Sequence, residues 1–158
     1  MENNILIKRE ELQQEVDLKT YYMGEAIKRK DIDADTIQSS TDEEELFGMF
    51  LQKAVSELAA SVAMRFDTVK FDVTDNYVSI SFTHIGNTNT EVTSILRQRI
   101  KDYLVNEIIY SWLNLRQTAS TAEYYQIHNI GLSKVKDIFA IFYNKNKVRR
   151  RSTNLAGI

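Results

Sequence analysis

The spacing of hydrophobic residues changes along the chain between a period of three or four and a period of two. Apolar side chains recur every three or four residues from about residue 44 to about Met64, which predicts a helix with one buried face. That face comprises Phe47, Leu51, Ala54, Val55, Leu58 and Val62. Thr41 and Glu44 have capping-box spacing at the start of this helix.

An earlier segment, from Arg9 to about Lys30, carries few apolar residues among many charges. Leu12, Val16 and Ala26 form a narrow stripe, which predicts an amphipathic helix. We expect Tyr21–Gly24 to bend or end it, since glycine is a poor helix former.

The period changes to two at about residues 68–83, which predicts a β-hairpin. Its inward-facing positions are Val69, Phe71, Val73, Val78, Ile80 and Phe82. Asp75 and Asn76 suit the turn because both tolerate left-handed backbone angles. A lone hairpin is marginal in water, so its apolar face must pack on the helices or on a neighbouring subunit.

Two further helices are predicted after the hairpin. The first runs from about Glu91 to Leu115, and its wide apolar surface requires two packing partners. That surface comprises Ile95, Leu96, Ile100, Tyr103, Leu104, Ile108, Ile109, Trp112 and Leu113. The second follows capping-box spacing at Ser120 and Glu123 and ends at about Tyr143. Its apolar positions are Tyr124, His128, Leu132, Val135, Phe139 and Phe142. The expected fold is α+β, a mostly helical bundle of about four helices with a central β-hairpin.

Length and composition fit one globular domain, with 158 residues, 43% hydrophobic and 27% charged. We assign residues 1–144 to a single helical domain and residues 145–158 to a basic C-terminal tail. The net charge of −2 lacks the broad positive field that non-specific nucleic-acid binding needs. Cysteine is absent, and the apolar run Ile5–Ile7 is too short for a signal core or a membrane span. We expect synthesis in a cytoplasm and no membrane partner.

The candidate chemistry is sparse. His84 and His128 have no second ligand at a local metal-binding spacing, so both are interpreted as structural. Asp31-x-Asp33-x-Asp35 resembles the opening of a calcium loop, but Thr36 stands at the glycine position and Asp42 at the position of the bidentate glutamate. The chain also lacks a nucleophile elbow and a phosphate-binding glycine loop. We expect no catalytic residue, no metal, no cofactor and no enzymatic activity.

Charge is distributed unevenly along the chain. The acidic segment, residues 31–45, holds seven acids and no base, whereas the basic end, residues 134–151, holds seven bases and one acid. Opposite poles favour head-to-tail contacts between subunits. The predicted contact residues are Asp42, Glu43, Glu44, Lys145, Lys147, Arg149, Arg150 and Arg151. A solvated tail and a tail that faces DNA remain the alternatives for the terminal arginines.

Direct base reading by a helix-turn-helix is disfavoured, because the segment after Gly131 carries an apolar face and only Lys134 and Lys136 could point outward. Two function classes stay open from the residues alone. One is a structural assembly protein, and the other is a small regulatory or nucleic-acid-binding module.

Four short elements carry a family resemblance: Tyr22-Met23-Gly24, the acidic Thr41–Glu45, the run Tyr103–Leu113 and the terminal Lys147–Arg151. Together they resemble small virion proteins of Bacteroidetes tailed phages, crAss-like phages included. The resemblance implies a head-to-tail connector, an adaptor that forms a closed, twelvefold ring beneath the capsid portal. Its implied partners are further copies of itself, the portal, and tail or neighbouring ring proteins, with DNA only passing through the channel. A tail-completion protein is the alternative within the virion.

Overall fold

The computed structural model describes residues 2–28, 44–63, 69–83, 90–116, 122, 125–137 and 139–140. The elements follow in the order β1 (Glu2–Lys8), α1 (Arg9–Lys28), α2 (Glu44–Ala63), β2 (Val69–Val73), β3 (Tyr77–Thr83) and α3 (Thr90–Arg116). A fourth helix, α4, covers 125–137. The predicted α+β, mostly helical fold is confirmed. The caps at Thr41 and at Ser120 with Glu123 lie outside the described residues.

The three strands form one antiparallel sheet in the order β1-β3-β2. The predicted hairpin is confirmed as β2 and β3, while β1 is a strand that the hydrophobic pattern did not reveal. Ile5 and Ile7 are buried, but Leu6 between them is 51% exposed, so an unbroken apolar run hides the alternation. β1 pairs with the edge of β3 opposite β2, so β3 is the central strand.

The inner face of the sheet is apolar across all three strands. Ile80 of β3 lies opposite Ile5 of β1 on one side and Phe71 of β2 on the other. Ile80 is fully buried, and Phe71, on the edge strand, is partly buried. The backbone N–H of Arg9 donates to the carbonyl of Asn76 at 2.9 Å, which joins the start of α1 to the hairpin turn.

α2 packs against α3 and β2. Its buried residues are Phe47, Leu51, Ala54, Val55, Leu58 and Val62, as the helical spacing predicted. By length and composition alone, with a mean hydropathy of 1.2, α2 would also be long and apolar enough to cross a membrane. A core helix meets the same criteria, and the buried face of α2 lies on the core.

α3 is the central element and contacts α1, α2 and β1. It also contacts α4, since a Cβ placed on Gly131 would lie 3.8 Å from Cδ2 of Tyr103. The predicted wide apolar surface is confirmed except at Ile95, which is 51% exposed. Leu96, the next residue on the helix, faces the core and is fully buried.

α1 runs from Arg9 to Lys28, close to the predicted extent to about Lys30, so Tyr21–Gly24 does not end the helix. Leu12 and Val16 are buried as expected, and partly buried ion pairs join this helix to α3. Lys101 Nζ lies 2.9 Å from carboxylate oxygens of both Glu11 and Glu15.

The ion pairs of Lys101 with Glu11 and Glu15 should stabilise the contact between α1 and α3 only over a limited range of pH. The hydrogen bond from Lys101 is the main cause that lowers the pKa of Glu11. Burial works against ionisation of Glu15, yet hydrogen bonds from Lys101 and Lys19 still lower its pKa. The hydrogen bonds from Lys101 to Glu15 and Glu11 raise the pKa of Lys101. A carboxylate whose pKa is lowered by folding stabilises the fold at pH values above the pKa that it has in the unfolded chain. A lysine whose pKa is raised by folding stabilises the fold at pH values below its pKa in the unfolded chain.

We therefore expect Lys101→Met to lower the free energy of unfolding by about 1–2 kcal/mol at neutral pH. The difference from the parent should shrink below about pH 4, as both carboxylates become protonated, and again above about pH 11. Urea unfolding at several pH values measures it. Lys70→Met, on the exposed face of β2, is the control and should change stability little. An equal loss at pH 3 and pH 7 would contradict the electrostatic origin.

Candidate functional site

Three helices bring two carboxylates and one imidazole together. Glu57 comes from α2, Glu107 from α3 and His128 from α4, and one ligand atom of each lies within 4.8 Å of the other two. We call these three residues the Glu-Glu-His cluster. They are separated by 50 and 21 positions in the sequence, so only the packing of the helices assembles them.

Glu107 is the most buried member, with 1% of its surface exposed. Its Oε2 contacts Nδ1 of His128, and its Oε1 lies 3.9 Å from Nζ of Lys53 on α2. Neither Oε2 nor Nδ1 has a hydrogen bond of acceptable geometry among the described residues. A proton carried by either atom would let the carboxyl or the imidazole donate a hydrogen bond to the other.

The protonation states follow from burial and from the neighbouring charges. Burial, reinforced by the charge of Glu57 and opposed by Lys53, raises the pKa of Glu107 to about 8. Burial is also the main cause that lowers the pKa of His128. At neutral pH the pair therefore consists mostly of a protonated carboxyl and a neutral imidazole.

Aromatic rings surround the imidazole. The ring centroid of His128 lies 5.4 Å from that of Tyr103, 6.0 Å from that of Tyr110 and 6.3 Å from that of Tyr125. Tyr103 is fully buried, and its hydroxyl has no hydrogen-bond partner among the described residues. Burial, then the charges of Glu107 and Glu57, raise the pKa of Tyr103, so its hydroxyl remains a proton donor.

Unpartnered polar atoms are concentrated in this region. Among the described residues, six buried side-chain atoms lack a hydrogen-bond partner. Four of the six belong to Tyr103, Glu107, His128 and Ser111, which lies one helical turn after Glu107. Oε2 of Glu107 and Nδ1 of His128 face each other and can share one proton, so the buried hydroxyls of Tyr103 and Ser111 are the atoms left to bind a further polar species.

A cleft of about 470 Å³ lies between α1, α3 and α4. Helices α3 and α4 also carry two members of the Glu-Glu-His cluster. The charged residues that line the cleft are Lys19, Arg99, Asp102 and Lys134. Ile127 and Ile130 of α4 add apolar surface, and Ile130 is 56% exposed. The cleft thus combines three cations, one anion and an apolar wall.

Most of the contact residues predicted from charge lie outside the described residues: Asp42, Glu43, Lys145, Lys147, Arg149, Arg150 and Arg151. His84 and the Asp31–Asp42 loop also lie outside them. Glu44 is the first residue of α2 and is exposed. Its carbonyl accepts a hydrogen bond from Nη2 of Arg9 at 3.4 Å. The predicted role of this set in subunit contact stays a prediction.

Sequence reasoning treated His128 as an isolated structural residue and passed over Glu57 and Glu107. One signal was present, because Glu107 lies four residues after Tyr103, within the most apolar stretch of α3. An ionisable residue at a position predicted to be buried indicates a partner or a function. The identity of that partner depends on how α2 and α4 pack on α3.

Comparisons with known protein families, curated proteins and solved structures find no match. The cluster and the cleft are therefore interpreted from the chemistry of their own residues.

Proposed function

We propose that this chain is a structural virion protein of a tailed bacteriophage, a subunit of the connector ring between the capsid portal and the tail. The observation that carries the proposal is the cationic cleft between α1, α3 and α4, which has the charge opposite to that of the acidic segment. The family resemblance of the four short elements supports the same role.

The cleft fits the acidic segment of a neighbouring copy. Lys19, Arg99 and Lys134 oppose one acid, Asp102, whereas residues 31–45 carry seven acids and no base. The acidic segment also contains two isoleucines, at positions 32 and 37, which suit an apolar wall. Complementary charge fixes the register of such a contact more than it adds affinity.

A contact between two different surfaces of one subunit is heterologous, and repeating it around an axis generates a ring if the rotation closes. Each copy would offer its cleft to one neighbour and its acidic segment to the other. The further partners of the proposed twelvefold ring are the portal and the tail or a neighbouring ring protein, and DNA only passes through its channel. The protein is then made in the host cytoplasm and ends in the virion.

Exposed apolar residues on α1 add to the interaction surface. Leu18 is 55% exposed and Tyr22, one turn later on the same face, is 64% exposed. Tyr21 beside them is 48% exposed. Neighbouring apolar residues left in water favour protein–protein contact.

The packing of α4 supports protein contact over base reading. Val135 of α4 and Phe139, which follows it, are buried, as the spacing after Gly131 predicted, so the end of α4 presents its apolar face to the core. A recognition helix presents basic and polar side chains to bases, whereas the exposed side of α4 also carries Ile130 and Asp137. Lys134, which is exposed, instead lines the cleft.

The proposal predicts that reversing the cleft charges prevents assembly. Phage particles made with the double variant Arg99→Glu, Lys134→Glu should fail to join heads to tails, because the cleft would repel the acidic segment. Electron microscopy of the particles measures joining. The same assay with Arg149, Arg150 and Arg151 changed to Ser tests the terminal arginines, and we expect reduced joining.

Lys70→Glu on the outer sheet face is the matched control and should join normally. Circular dichroism on each purified variant checks that the fold is retained. Normal joining by the folded cleft variant would contradict the proposed contact. A cleft occupied by the acidic segment of its own chain, seen by cryo-electron microscopy of particles, would do so as well.

A further inference from the structure

We propose that Glu57, Glu107 and His128 bind one divalent transition-metal ion that fastens α4 to α2 and α3. The proposal is independent of the connector role. Imidazole nitrogen with carboxylate oxygen is a ligand set that suits Zn²⁺ and related ions, and one ligand from each of three helices would cross-link the bundle.

The geometry is close to that of a three-ligand site. Ligand atoms at about 2.0–2.2 Å from a tetrahedral ion lie roughly 3.3–3.6 Å from one another. The three atoms of the cluster lie within 4.8 Å, so small side-chain rotations suffice. Glu57 is half-exposed and can turn inward, whereas Oε2 of Glu107 and Nδ1 of His128 are in direct contact and must move apart to bind one ion. The ion would displace the proton that Glu107 carries at neutral pH, and a water would complete the coordination.

A second observation, separate from the cluster, also points to a bound species. The hydroxyl of Tyr103 is buried and unpartnered, and its ring packs on that of His128. Residues around metal ligands commonly hold them through hydrogen bonds. The Tyr103 hydroxyl is suited to donate to a ligand carboxylate or to a metal-bound water.

Lys53 is the principal competitor for the site. Its ammonium lies 3.9 Å from Oε1 of both Glu57 and Glu107, at the outer limit of an ion pair. The side chain of Lys53 is 50% exposed, so it can turn into solvent at little cost when a metal enters. Removing its charge should therefore strengthen metal binding, which a purely structural role for the cluster does not predict.

The proposal departs from the sequence-based expectation of no metal. That expectation rested on the lack of paired ligands at a local spacing. The cluster instead draws its ligands from three helices, a pattern that no motif of adjacent residues reveals.

The test uses the full chain, freed of metal with a chelator, and measures melting temperature with and without about 100 μM ZnCl₂. An ion that binds only the native state raises the melting temperature, and we expect a rise of about 5 °C or more. Titration calorimetry should give one Zn²⁺ per chain. Mg²⁺ and Ca²⁺ at the same concentration should have little effect, since an imidazole ligand disfavours both.

Four variants locate the ion. Glu57→Gln and His128→Gln should each abolish the zinc-dependent rise, Lys53→Met should increase affinity several-fold, and Glu45→Gln, exposed on α2, should behave like the parent. A parent that shows no zinc-dependent rise would overturn the proposal. An equal rise in Glu57→Gln and His128→Gln would overturn it as well, because the ion would then bind elsewhere.

Discussion

Replacing Ile80 with aspartate should strongly destabilise the protein. Ile80 is fully buried at the centre of the sheet, with Ile5 and Phe71 on either side, so an aspartate there would be a charge without a partner. The expected cost is at least about 4 kcal/mol, a large fraction of the about 5–15 kcal/mol by which ordinary domains are stable. Fluorescence of Trp112, the single tryptophan and a buried one, measures the loss during urea unfolding.

Ser81→Asp is the matched control for this substitution. Ser81 follows Ile80 on the same strand but belongs to the opposite sheet face, where it pairs with Lys70. An aspartate there gains an opposite charge as neighbour, and we expect a change within about 1 kcal/mol. If Ile80→Asp melts like the parent, or if both variants lose the same stability, the register of β3 is wrong.

Phe71 lies in the middle of the first strand that the hydrophobic pattern predicts. The structure places Phe71 on the edge strand β2 and leaves it partly buried. Phe71→Asp should therefore cost less than Ile80→Asp, since part of the new charge remains in contact with water. Which strand is central depends on β1, and the hairpin sequence contains no information about β1.

The helices and the hairpin could be predicted because each is specified by its own local period. α2 shows this best, since every residue of its predicted apolar face is buried. β1 was missed because Leu6 interrupts the alternation of Ile5 and Ile7, so its strand character comes from pairing with β3. Ile95 shows the opposite error, an apolar residue at helical spacing that lies beyond the edge of the core.

The Glu-Glu-His cluster could be predicted only in part. The position of Glu107 among buried residues of α3 is visible in the sequence and is unusual for a carboxylate. The contacts of Glu107 with His128 and Lys53 are not visible in the sequence, because they depend on how three helices pack together. Charge patterning predicted a basic surface at residues 134–151, but the partners of Lys134 in the cleft, Lys19 and Arg99, come from α1 and α3.

Replacing Tyr103 with alanine should detach α4 from the rest of the protein. Tyr103 is among the largest fully buried side chains. It packs against two residues of α4, the ring of His128 and the backbone of Gly131. The loss of so much buried aromatic surface, together with the cavity that remains, should cost about 3–5 kcal/mol. Hydrogen exchange should show faster exchange in residues 125–137 than in α2.

Tyr103→Phe separates the packing role of the ring from the role of its hydroxyl. The hydroxyl is buried without a partner among the described residues, so its removal in the presence of a chelator should leave stability unchanged or raise it by up to about 1 kcal/mol. The ring that fills the space between α3 and α4 is kept, so α4 should remain as protected from exchange as in the parent. Urea unfolding of the parent, Tyr103→Phe and Tyr103→Ala under the same conditions gives both differences. A loss of more than about 1 kcal/mol in Tyr103→Phe would contradict the assignment of the hydroxyl as unpartnered, because only a lost hydrogen bond explains it. A loss of less than about 1 kcal/mol in Tyr103→Ala would mean that α4 is held by other contacts.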